Sequence, residues 1–175
     1  MFVGVSLNGF IGRLNGDLDW LMGEGGSDSS EYGYNEFIAG IDAIVMGRKT
    51  FEKVLSFDKW YYGSKRVVVL SSRAIDLSAA RAHGGVVEQM AGPPHEIVSE
   101  LACSGGRRLY VDGGVTIQQF LRAGLIHRLI ISRVPVLIGD GIPLFGSLPH
   151  DVHLRHIATR TYPGGMVQSE YHVIS

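Results

Sequence analysis

The run Lys65-Arg66-Val67-Val68-Val69-Leu70 does not alternate between apolar and polar residues. A strand with one face in water alternates, so a β-branched run of this kind needs both faces covered. A parallel sheet with helices above and below meets that need. The rest of the chain supplies its parts. Residues 3–7, 43–46, 109–111 and 128–134 are further apolar runs of strand length. Between them lie helical patterns. Tyr34, Phe37, Ile38 and Ile41 fall at i, i+3, i+4 and i+7, and Phe51, Val54 and Leu55 mark a second helix after Gly47. A third follows Pro93-Pro94, carries Ile97, Val98 and Leu101, and stops at Gly105-Gly106. A fourth opens at Gly113-Gly114, carries Ile117, Phe120 and Leu121, and ends at Gly124.

The end of the chain changes character. Residues 152–162 and 166–173 flank Pro163-Gly164-Gly165, and Val167, Ser169, Tyr171 and Val173 alternate, which predicts a hairpin. The expected architecture is α/β: a mainly parallel central sheet, a C-terminal antiparallel hairpin, and helices on both faces. With 175 residues, no repeat and no linker, a single domain over 1–175 is expected. The net charge of −1 argues against partners that need a broad basic field, such as nucleic acid or an anionic membrane. No apolar run reaches membrane-span length, and the opening residues read as a first strand rather than a signal peptide. The lone Cys103 excludes a disulfide framework and suits a reducing cytoplasm; it is expected to be buried or half-buried beside the third helix's core. The histidines are dispersed and no metal site is expected; His153 and His156 fall in a strand at an odd separation, on opposite faces.

Many glycines stand where a strand run meets a helix run. Gly47-Arg48-Lys49-Thr50 opens a helix immediately after a strand. Amides at a helix start are unpaired donors with partial positive charge, and they suit an anion. Leu70-Ser71-Ser72-Arg73 adds hydroxyls and a cation at the next strand end, and Asp112-Gly113-Gly114-Val115-Thr116 makes a second glycine-led helix start. Ligands in open α/β sheets bind beyond such carboxyl ends. None of these is a G-x-G-x-x-G fingerprint, and the alternative is tight turns with solvated arginines.

Taken together, Ser6-Leu7-Asn8-Gly9-Phe10-Ile11, Gly16-Asp17-Leu18-Asp19-Trp20, Met46-Gly47-Arg48-Lys49-Thr50-Phe51 and Leu70-Ser71-Ser72-Arg73 occur in the order seen in dihydrofolate reductases and their relatives. Val111-Asp112-Gly113-Gly114, Gly124-Leu125-Ile126 and residues 135–145 most resemble the reductase domain of riboflavin-pathway deaminase-reductases and its single-domain relatives. The resemblance implies a dihydrofolate-reductase-like three-layer fold with NADPH across the carboxyl edge. Gly47, Arg48, Lys49 and Thr50 would hold phosphate, with Leu70, Ser71, Ser72 and Arg73 beside the adenosine 2′-phosphate. Gly113, Gly114, Val115 and Thr116 would cradle the pyrophosphate, and Val5 and Ile11 would border the nicotinamide. Asn8, Trp20, Tyr34 and Phe51 would face substrate. Trp20 belongs to a loop that would close over the nicotinamide, or it is a packed anchor.

Two acids are candidate catalytic groups. Glu31 lies one turn before Tyr34, near where dihydrofolate reductases carry their substrate carboxylate; the alternative is a capping box with Asp28. Asp112 matches the acid that precedes the paired glycines in the riboflavin-pathway reductases; the alternative is a turn aspartate. The chain also departs from those reductases. It has Phe2 where they carry a lysine, and Asn8 where they carry aspartate, and no zinc deaminase motif is present. The implied function is an NADPH-dependent reductase delivering hydride to a heterocyclic or ribosylamino-pyrimidine substrate, like 5-amino-6-(5-phosphoribosylamino)uracil reductase. Dihydrofolate reduction, and NADPH binding without turnover, are the alternatives. The resemblance also implies a cytoplasmic homodimer with residues 129–137 near the contact.

Overall fold

A computed structural model describes residues 1–21, 32–57 and 59–174. Val67, Val68 and Val69 have no solvent exposure. They occupy strand β4 (Arg66–Leu70), inside a four-stranded parallel sheet with β3 (Ala43–Gly47), β5 (Val86–Met90) and β6 (Leu109–Asp112), in the order β5-β4-β3-β6. Successive valines point to opposite faces. Val68 joins one core with Ile97, Leu101, Ile117 and Phe120, while Val67 and Val69 join another with Phe51 and Ala80. Helices α4 (Pro94–Cys103) and α5 (Gly114–Arg122) therefore cover one face, and α1 (Tyr34–Ala39), α2 (Arg48–Leu55) and α3 (Ser78–Ala82) the other. Each such buried side chain contributes about 1.5–3 kcal/mol relative to exposure.

The remaining strands form a second, mixed sheet. β1 (Phe2–Ser6) pairs in parallel with β7 (Arg128–Val134), and the hairpin β9 (Leu154–Thr161) and β10 (Val167–Val173) continues it in antiparallel order, giving β1-β7-β10-β9. β2 (Phe10–Gly12) and β8 (Ile142–Pro143) make a short antiparallel pair. The two larger sheets meet at β6 and β1, where the Tyr110 hydroxyl donates to the Phe2 carbonyl at 2.8 Å. Gln168 of β10 ties the other side. Its buried amide donates to Ser132 Oγ at 2.9 Å and to the Tyr32 carbonyl at 3.0 Å, holding the chain just before α1 against the mixed sheet.

The three-layer α/β arrangement is as expected, but the strands divide between two sheets. α3 and β5 were not expected. α3 has five residues and buries only Ala80, so no helical stripe marks it. β5 reads Val-Val-Glu-Gln-Met because it is an edge strand, not enclosed on every side. Cys103 is exposed, not half-buried. It stands two residues past Leu101, about 200° around the helix from the buried stripe. His153 precedes β9, and the pairing shifts between His156 and Ala158, so parity from sequence spacing does not carry through this strand. β7 lies between β1 and β10 with Leu129 to Ser132 buried, so only the end of the segment 129–137 has surface to offer a partner.

Candidate cofactor and substrate site

Because β5, β4, β3 and β6 are parallel, their carboxyl ends lie on one edge in register. Gly47 stands opposite Leu70, and Met46 opposite Asp112. The two glycine-led helix starts are thus neighbours, and they interlock. A Cβ on Gly113 would overlap Thr50 Oγ1, and a Cβ on Gly47 would lie 3.0 Å from Thr116 Oγ1. A Cβ on Gly114 would come within 2.6 Å of Ile11 Cδ1. Gly113 has φ +85°, a backbone state that only glycine adopts without strain. The third loop, 71–75, is folded on itself: the Arg73 amide donates to Ser71 Oγ at 3.1 Å, and Ser71 Oγ to the Arg73 carbonyl at 2.8 Å. Gln89 of β5 pins it, donating to the Ser71 and Arg73 carbonyls at 2.9 and 2.8 Å and accepting from the Ile75 amide at 3.0 Å.

Beside this edge is a cavity of about 470 Å³. Its walls are the loop carrying Asp17, Leu18, Asp19 and Leu21, Tyr34 at the start of α1, Lys53 and Val54 from the last turns of α2, and Phe57, Tyr61 and Tyr62 beyond it. Tyr62 joins the cavity to the glycine edge, because its hydroxyl donates to Asp112 Oδ2 at 3.4 Å while the Gly113 amide donates to Asp112 Oδ1 at 2.8 Å. Burial pushes the Asp112 carboxyl above the usual carboxylate range; the Gly113 amide and the Tyr62 and Tyr110 hydroxyls pull it partly back. Burial, and then the Asp112 charge, push the Tyr34, Tyr62 and Tyr110 hydroxyls up in turn, so all three stay protonated. A second cavity, of about 550 Å³, opens at the amino ends of β6 and β7 and includes none of the glycine-edge residues.

The structure brings together Gly47, Thr50, Gly113, Gly114, Thr116 and Ile11, with Leu70, Ser71, Ser72 and Arg73 on the adjoining loop. Val115 is exposed on the first turn of α5. Arg48 is exposed and its guanidinium donates to Glu52 at 2.9 Å; Lys49 and Arg73 are exposed, and neither forms an ion pair among the described residues. Phe51 is a correction: it has no exposed surface and packs on Trp60 at 6.3 Å, because it belongs to the core-facing stripe of α2. Val5 is buried in β1. Asn8 ties its turn to the distant segment before β8, donating to the Ile138 carbonyl at 2.7 Å and accepting from Ser6 Oγ at 2.8 Å. Trp20 is 8% exposed as a packed anchor, and its Nε1 finds no partner among the described residues. Tyr34 lines the cavity. Glu31 and Asp28 lie outside the described residues. Sequence reasoning missed Gln89, Lys53 and Tyr62. The aromatic run Trp60-Tyr61-Tyr62 just before β4 was the available signal for the last.

Comparison with known proteins places this geometry among relatives. Residues 1–168 match the RibD C-terminal domain family. A Shewanella sp. PV-4 protein described as belonging to riboflavin biosynthesis is 35% identical and superimposes with TM-score 0.88, covering 99% of this chain and 97% of that one. A diaminohydroxyphosphoribosylaminopyrimidine deaminase/5-amino-6-(5-phosphoribosylamino)uracil reductase from Thermotoga maritima is 15% identical, with TM-score 0.72 over 98% of this chain and 55% of that one. The dihydrofolate reductase of Enterococcus faecalis, complexed with NADP(H), is 17% identical, with TM-score 0.64 over 99% of this chain and 95% of that one. The last two likenesses establish the fold, which is dihydrofolate-reductase-like.

Proposed function

The chain belongs to the RibD C-terminal domain family, and from that premise we propose that it is an NADPH-dependent reductase acting on a pterin- or pyrimidine-type heterocycle. The observation that carries the reading is the interlock of Gly47–Thr50 with Gly113–Thr116 at the ends of neighbouring parallel strands. Two helix starts there direct unpaired amides to one place, and the missing side chains of Gly113 and Gly114 let Thr50 and Ile11 pack closely enough to hold the two starts side by side. The residues fit the cofactor: Gly113, Gly114, Val115 and Thr116 would hold its pyrophosphate, Gly47, Lys49 and Thr50 the flanking phosphate, and Ser71, Ser72 and Arg73 the adenosine 2′-phosphate. A cation at that last position selects the phosphorylated cofactor, whereas an acid would select a free ribose.

NADPH supplies a hydride when bound. A reduction also needs a proton, and Asp112 is the acid suited to give one. Its raised pKa keeps the carboxyl protonated further toward neutral pH, and the Tyr62 hydroxyl links it to the cavity. The aromatic walls position a planar ring and exclude water from it.

Fluorescence titration with NADPH and NADH tests the cofactor site. NADPH is expected to bind at least ~10-fold tighter, and Arg73→Ala to remove that preference, since one charge-assisted contact is worth about 1.5–3 kcal/mol. Equal affinities, or no binding of either dinucleotide, would refute it.

A further inference from the structure

We propose that the cavity selects an uncharged planar ring and rejects ligands that carry a phosphate arm. The inference deepens the reductase reading and rests on it for the identity of the substrate cavity. It comes from where the charges at the cavity already go. Lys53, the cation in its wall, donates to Asp17 Oδ1 at 3.0 Å, and Asn15 holds the other oxygen of that carboxylate at 2.7 Å. Arg13, at the base of the same loop, is engaged with both oxygens of Asp19 at 2.6 and 2.8 Å. Lys59 sits over the outer ring of Tyr61 at 5.0 Å. These pairings hold the Asp17 and Asp19 carboxyls below the usual range, so both stay ionised at the wall.

No other cation in this stretch can supply the missing charge. From residue 13 to residue 21 the only cation is Arg13, and it is already engaged by Asp19. The helix geometry points the same way. α2 meets the cavity with its carboxyl-terminal turn, through Lys53 and Val54, and that end of a helix repels anions. Its amino end, which attracts them, faces the glycine edge instead. Behind Tyr34 stands Phe2, with ring centres 5.5 Å apart, so that wall is aromatic to a second layer. Proteins that grip phosphate commonly do so with free arginine or lysine, and among the described residues the cavity wall offers neither unengaged. Aromatic sides and a wall whose charges are already paired suit a stacked, planar, uncharged ring.

The test is equilibrium binding to the NADPH-loaded protein of one compound in two forms, 5-amino-6-ribitylaminouracil with and without its terminal phosphate, followed by protein fluorescence. The unphosphorylated form is expected to bind at least ~10-fold tighter. Asp17→Asn releases Lys53 and is expected to narrow that ratio at least ~3-fold; adding Lys53→Ala is expected to restore it. Equal or tighter binding of the phosphorylated form, or no binding of either to NADPH-loaded protein, would overturn the inference and leave the cofactor site standing. If instead NADPH fails to bind while the unphosphorylated compound is still preferred, the reductase reading falls and the charge selection holds.

Discussion

Asp112→Asn is expected to lower kcat by about 10²–10⁴-fold, the span usual for loss of a general acid, while changing NADPH affinity by no more than ~2-fold. The amide keeps the shape and the acceptor for the Gly113 amide but has no acidic proton to give. The pH profile separates this role from a structural one. The folded protein holds the Asp112 proton more tightly than the unfolded chain does, whose value is near 3.8. Turnover by a protonated Asp112 is therefore full at low pH and declines as pH rises through the raised folded value. Stability follows the same sign: the contribution of the neutral carboxyl is complete below the unfolded value and is lost as pH rises through the folded one. The substituted amide mimics the neutral carboxyl, so the variant is expected to be at least as stable as the parent at neutral pH, and both pH dependences are expected to flatten. A variant that loses stability and turnover in proportion would show Asp112 to be only a turn residue. Retained turnover would remove it from the mechanism.

Gly113→Ala carries the second large effect. The new Cβ would meet Thr50 Oγ1 and would have to hold φ at +85°. Strain and overpacking together are expected to cost about 2–4 kcal/mol. A urea transition should show this as a fall in midpoint, and the NADPH titration as loss of measurable binding, because the helix start must move to relieve the clash. Gly139→Ala is the matched control: nothing lies within 4 Å of its would-be Cβ, and its backbone is not left-handed, so a change within about 0.5 kcal/mol is expected. Equal midpoints for the two variants would mean that the interlock of the helix starts is not as tight as the geometry requires.

How much of this was legible in the sequence varies by element. β3, β4 and β6 were legible as uninterrupted apolar runs, and α2, α4 and α5 as stripes with helical spacing, because burial on a sheet or a helix face writes a period into the chain. β5 and α3 were not, since an edge strand and a five-residue helix bury too little to write one. Phe51 shows the opposite limit. Its place in the motif Gly47-Arg48-Lys49-Thr50-Phe51 put it near a ligand, but its place on the buried stripe of α2 sends it into the core.

The sequence by itself determined the parts: strands that need two covered faces, glycines at their ends, and a hairpin at the tail. These are local properties of composition and period, and each can be read without knowing its neighbours. Only the tertiary structure decided the pairings. Strand order β4-β3-β6 brings Gly113 against Thr50 and Gly47 against Thr116, which are 63 and 69 residues apart in sequence. It also decided that Lys53 answers Asp17, that Arg48 answers Glu52, and that Tyr62 reaches Asp112. A charge read in sequence is only a formal charge. Whether it is free to meet a ligand depends on which opposite charge the fold puts within hydrogen-bonding distance, and that is set by topology rather than by spacing.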